Sequence, residues 1–249
     1  MTKVMMLIKS LSNSFEAYKK HPFIFIWGSL VYILMLVVFF MAAVGFFLIY
    51  FMVSSLVGVP VDIYEIPTMV VLGLVGLAFL YFLSGLSAGL SMTYQKALTQ
   101  AKTSLADFYA YSLSKAPVMF EILIIRDVLT LLVIGPAIAI YIYFLAEFEF
   151  TDVIIGAYSL FWIFVIHCIF TPALMAGGAF RKGLFASMRR AFVLLRKKHI
   201  NYLGLFILFA FAWVLNFIPF LQLVSLFFIY PVVYAAIISM MEKVSPSEG

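Results

Sequence analysis

The chain has 249 residues, 66% hydrophobic and only 11% charged; a soluble domain carries roughly 45–50% and about 25%, so water is excluded as the main solvent and the class is polytopic membrane protein. A formal charge of +5 raises the question of nucleic acid, but the basic residues flank apolar runs, so the expected partner is lipid with anionic headgroups and not nucleic acid. A single cysteine, Cys168, excludes an intrachain disulfide and a multi-thiolate metal site.

The opening MTKVMMLIKS has a five-residue apolar core, Val4 to Ile8, too short for a signal peptide, and reads as part of the mature chain. Val4, Leu7, Ile8, Leu11, Phe15 and Tyr18 form one helical stripe opposite Lys9, Ser12, Asn13, Glu16 and Lys19, which predicts an amphipathic helix lying in the interface. The first span, Phe23 to Val57, would reach about 52 Å as a continuous helix, against about 30 Å of hydrocarbon, so it must tilt, protrude or bend near Gly45. The second runs from Thr68 to Met92. Its GLSAG, Gly85 to Gly89, matches the nucleophile pattern of serine hydrolases, but Ser87 lies inside a helical run and not on a strand-to-helix turn. The same letters read as small residues that let helices approach closely, as do Gly177 and Gly178.

The third span, Val118 to Leu145, carries Glu121, Arg126 and Asp127, the latter two pointing about 140° and 240° away from the first. Two placements are open. A span starting near Val128 leaves all three charges at the interface, the cheaper arrangement. A helix running from Val118 puts Arg126 about 13 Å inside, where Arg126 and Asp127 would line a pathway and engage other helices more easily than each other. In the fourth span, Val153 to Phe180, His167 precedes Cys168, Thr171 and Pro172 and should face a partner or a cavity. With His21 and His199 at the interface, no metal and no cofactor is expected.

Residues 181–200, RKGLFASMRRAFVLLRKKHI, hold seven Lys or Arg in twenty positions. Leu184, Phe185, Met188, Ala191, Phe192 and Leu195 form an apolar stripe opposite Arg189, Arg190, Arg196 and Lys197, a second interfacial helix. Arg189, Arg190, Arg196, Lys197 and Lys198, with Lys19 and Lys20, are the candidate contacts for anionic headgroups. Two last spans, Asn201 to Phe217 and Leu221 to Met241, turn through Asn216 and Pro219. The expected fold is all-α: six transmembrane helices in three hairpins, each preceded by an amphipathic interfacial helix.

Ser10 to Pro22 is echoed by Ser187 to Ile200 and, more faintly, by Ser104 to Pro117, each leading into a span, so one membrane domain, 1–249, reads as units 1–92, 93–180 and 181–249. Serine, a Phe/Tyr-bearing amphipathic helix, Lys-Lys-His-Pro and a long aromatic span, recurring along the chain, resemble the little-characterised prokaryotic six-span membrane proteins related to the membrane domain of glycerophosphoryl diester phosphodiesterases. The resemblance implies a six-span membrane fold. Hydrolysis in that family belongs to an attached soluble domain that nothing here matches, so no catalytic residue and no phosphodiesterase activity is carried over.

The expected role is non-enzymatic, an accessory or scaffold protein that contacts anionic lipid; the alternative is a small-molecule or lipid transporter or permease. Gly135-Pro136, Pro172 and Pro231 would permit the broken helices of transporters. The two readings differ in one observable: transport needs a cavity reaching Arg126, Asp127 or His167, whereas a scaffold is packed shut. Lys and Arg are absent from the loops holding Asp62 and Glu65, and Glu147, Glu149 and Asp152, which places both termini in the cytoplasm and the protein in the cell membrane. In a Cys168→Ser background, cysteines at Asp62 and Asp152 should react with an impermeant thiol reagent added outside, and a cysteine at Lys197 should not. Labelling at Lys197 from outside inverts the orientation.

Overall fold

The protein is described by a computed structural model covering residues 3–58, 66–99, 104–145, 148, 150–180 and 183–243. Every regular element among them is helical. Helices α1 (Lys3–Lys20) and α2 (Pro22–Val57) come first. They are followed by α3 (Ile66–Leu98), α4 (Leu105–Ile140, closing in a π-helical turn, Tyr141–Leu145) and α5 (Thr151–Ala179). Then come α6 (Leu184–Lys197), α7 (His199–Leu215), α8 (Pro219–Val224) and α9 (Tyr230–Glu242), with a π-helical stretch, Ser225–Ile229, joining the last two. Among the described residues, five helices are long and apolar enough to cross a membrane, or six if α6 and α7, bent by 102° at their junction, are one broken span.

Helix α2 starts with Pro22, whose missing N–H costs nothing there, and ends at Gly58, which takes φ +72° to close the last turn. No break interrupts it at Gly45, so tilt or protrusion must absorb a length of about 54 Å. Ser104 caps α4: its hydroxyl accepts from Asp107 N at 3.2 Å, and Asp107 returns the bond to Ser104 N at 3.1 Å. From there α4 runs unbroken through Pro117. The third interfacial helix expected over Ser104 to Pro117 is therefore the opening of a long span. Packing explains the fusion, because Phe108, Ser112 and Ala116 are buried against α3. A Cβ at Gly85 would lie 2.9 Å from the Ser112 carbonyl, and one at Gly89 would lie 2.9 Å from the Phe108 ring, so glycine sets this approach.

The helices pack at one end. The buried residues of α3 fall in Ser84–Ala97, apart from Thr68 near its start; those of α5 fall in Ile166–Ala179 and those of α9 in Pro231–Met241, and these stretches meet around Ala88, Tyr94, Met175 and Ile237. This end carries the basic residues. Toward the other end the flanks are exposed, from Leu34 to Leu56 on α2 and at Leu131 and Leu132 on α4. Helix α1 docks on α9, where Lys243 donates to Ser10 Oγ at 3.2 Å; burial lowers the pKa of this ammonium, and Lys9 adds to the effect.

Proline inside a helix leaves the carbonyl four residues earlier without its donor, and in lipid no water replaces it. Helix α5 continues through Pro172, and the freed Cys168 carbonyl accepts from the Tyr202 hydroxyl of α7. The carbonyl that Pro231 leaves, on Phe227, accepts from Tyr18 of α1 at 3.2 Å. The expected broken helices are not found at these prolines: borrowed hydroxyls keep the chain helical.

Helices α1 and α6 share a burial register. Ser10, Ser14 and Ala17 are buried in α1, and Ser187, Ala191 and Leu194, each 177 positions later, in α6. Each helix stops at similar dihedrals, His21 at φ −130°, ψ 50° and Lys198 at φ −127°, ψ 28°. The α4 opening differs, burying Phe108 where Phe15 and Phe192 are exposed. Tyr202→Phe should cost about 1–3 kcal/mol by leaving a buried carbonyl unsatisfied. In a Pro172→Ala background, which restores the missing N–H, the same change should cost less than half as much. Thermal unfolding in detergent measures both; equal costs mean the hydroxyl is not replacing the helix bond.

Candidate functional site

Between the packed end and the exposed flanks lies a cavity of about 240 Å³. Its polar wall comes from every helix around it: Ser29 and Tyr32 of α2, Ser87 and Tyr94 of α3, Arg126 of α4, His167 and Thr171 of α5, and Tyr230 and Tyr234 of α9. Ile33, Leu83, Leu123 and Leu226 supply apolar wall. The cavity sits beside Pro172 and Pro231, where two helices lose regular bonding. Toward the basic end it is sealed, since Phe25, Ile237, Met240 and Met241 have no exposed surface. Tyr94 stacks on Phe25 at 5.2 Å and on Tyr234 at 6.4 Å, forming the floor.

Arg126 and Asp127 pair with each other. Arg126 Nε and Nη2 both lie 2.7 Å from Asp127 Oδ1, so the expectation that each would reach other helices is corrected. Two divergent positions meet because the arginine stem is long enough to fold back along the helix surface. Arg126 lines the cavity, with its side chain 17% exposed. Glu121 is exposed and apart from it. Among the described residues the His167 ring has no hydrogen-bond partner; the Phe209 ring lies 6.5 Å away, edge on, and the His167 carbonyl accepts from Thr171 at 2.8 Å. Ser87 faces the same cavity, but its hydroxyl donates to the Leu83 carbonyl at 2.9 Å and is not directed at His167. The cavity tyrosines escaped the sequence reading. In a chain with 18% aromatic residues, an intramembrane tyrosine carries no distinguishing signal.

The basic residues divide. Arg189, Arg196, Lys197, Lys19 and Lys20 are exposed, Lys198 is half-buried, and Lys19 lies 4.6 Å over the Phe15 ring. Arg190 turns inward: its Nη2 donates to the Met241 carbonyl at 2.9 Å and its guanidinium lies 3.9 Å over Phe180. It ties α6 to the end of α9, a correction to its expected place among the headgroup contacts. Of the expected stripe of α6, Ala191 is buried and Leu184, Met188 and Leu195 pack half-buried against the core. Phe185 and Phe192 point outward beside Arg189 and Arg196, while Ser187, Ala191 and Leu194 face the protein.

No family model, no curated protein and no solved structure matches the chain. The resemblance to phosphodiesterase membrane domains rests on its sequence motifs alone. A double-mutant cycle over Arg126→Gln and Asp127→Asn should give a coupling of about 1–2 kcal/mol, between the values for exposed and for buried pairs. A coupling near zero in thermal unfolding means the pair does not persist in the membrane.

Proposed function

We propose that the protein is a multi-pass membrane protein of the cell membrane, termini in the cytoplasm, that binds a small solute in its central cavity and works as a permease. One observation carries this reading: Arg126 and His167, the intramembrane polar groups of α4 and α5, line a single cavity instead of a packed interface. Groups of this kind within membrane helices mark substrate pathways. The sealed basic end supports access from the acidic side. A non-enzymatic role is in keeping with Ser87, the serine of the nucleophile-like motif, whose hydroxyl donates to the Leu83 carbonyl of its own helix.

The scaffold reading keeps one observation in its favour. Phe185, Arg189, Phe192 and Arg196 form an exposed row that alternates ring and cation, suited to headgroup level in an anionic leaflet. Within the permease reading this row anchors the sealed end.

In a Cys168→Ser background, a cysteine at Ser87 should react with a small hydrophilic methanethiosulfonate added to the acidic side of proteoliposomes. A cysteine at Ala236, buried behind the floor, should not react. Silence at both positions from both sides returns the scaffold reading to first place.

A further inference from the structure

The ionisable groups facing the cavity come from four directions: Tyr32 from α2, Tyr94 from α3, Arg126 from α4, and Tyr230 and Tyr234 from α9, all around His167 of α5. No carboxylate is among these lining residues. Asp127, the partner of Arg126, is not part of the wall. Arg126 directs Nε and Nη2 to one oxygen of Asp127, so Nη1 is not used in that pair. Opposite, the His167 ring has no hydrogen-bond partner among the described residues and no acid to hold it if it gains a proton. The two basic side chains of the cavity thus lack an anion between them.

We propose that the cavity binds a small monocarboxylate with an apolar body, its carboxylate on Arg126, together with one proton from bulk water that rests on a ring nitrogen of His167. This rests on reading the cavity as a solute site. A carboxylate between Arg126 and the imidazole stabilises the imidazolium, and by reciprocity the proton stabilises the bound carboxylate. An anion and a proton also enter a low-dielectric space more cheaply together than the anion does alone. Size and wall set the rest of the ligand. A volume of about 240 Å³ is that of about eight liquid waters, and the rings of Tyr94, Tyr230 and Tyr234 with Leu123 and Leu226 suit an apolar body.

Benzoate is the probe, with benzyl alcohol as its neutral counterpart. Titration calorimetry on the full chain in nanodiscs, corrected by empty nanodiscs and run in two buffers of different ionisation enthalpy, counts protons. We expect about one proton taken up per benzoate, and above the histidine range an affinity falling about tenfold per pH unit. His167→Gln should bind benzoate without proton uptake and with a flat pH profile, and Arg126→Gln should lose benzoate but keep benzyl alcohol. The proton count on the unaltered protein does not depend on how well either variant folds. Benzoate binding without proton uptake overturns the proton linkage. Benzyl alcohol binding as tightly as benzoate overturns the monocarboxylate class and leaves the solute cavity standing. Binding of neither ligand overturns the proposal, and the Ser87 cysteine then separates the two readings: if it labels, the solute-cavity reading survives.

Discussion

Pro172 and Pro231 each leave a carbonyl that lipid cannot satisfy, and the chain answers with tyrosine hydroxyls from helices far away in sequence. Tyr202 ties α7 to α5 at Cys168, and Tyr18 ties α1 to the last span at Phe227. Each bond satisfies a backbone group and fixes the position of a neighbouring helix. Proline also removes the regular backbone bonding that would let α5 and α9 pack as plain cylinders, and the cavity lies beside these points. Stability at the basic end and open space above it thus have a common origin.

Small residues set the other half of the arrangement. Gly85 and Gly89 bring α3 onto α4, and a Cβ at Gly178 would lie 2.6 Å from the Ser91 Cβ, which brings α5 onto α3. Buried hydroxyls in these contacts bond to carbonyls of their own or neighbouring helices, as Ser112 does to Phe108 at 2.9 Å and Ser84 to Ala116 at 3.0 Å. These close contacts sit beside large buried side chains such as Phe25, Met92, Tyr94 and Phe209.

Five long apolar helices were legible as charge-free runs long enough for a bilayer, whereas Asn201 to Phe217 makes a sixth span only if α7 is taken together with α6 across their 102° bend. That α1 and α6 are helices was legible from periodicity alone. That Ser187 and Leu194 of α6 are buried while Phe185 and Phe192 are exposed was not, because periodicity finds an apolar side but not what covers it: Phe185 and Ser187 sit about 160° apart around the helix axis. Arg190 was misread for a similar reason, as only the approach of the α9 terminus turns a surface arginine into a tie. The third interfacial helix was misread because a capping serine opens an independent helix and a fused one alike; the close contact at Gly85 decides between them. Treating Arg126 and Asp127 as rigid vectors hid their pairing, and their shared cavity with His167 follows from tertiary structure that no local pattern encodes.

The π-helical stretch before α9 has a mechanical consequence. Tyr230 N–H bonds back five residues to Ser225, so this segment holds one residue more per turn than an α-helix would. Passing that surplus residue along the helix, as a wrinkle moves through a carpet, would rotate everything behind it by about 100°. Tyr230 and Tyr234 would swing off the cavity wall together, and the Phe227 carbonyl would turn away from Tyr18. A sealed floor could thus turn like a stopcock, with Pro231 keeping the surplus from vanishing into regular helix.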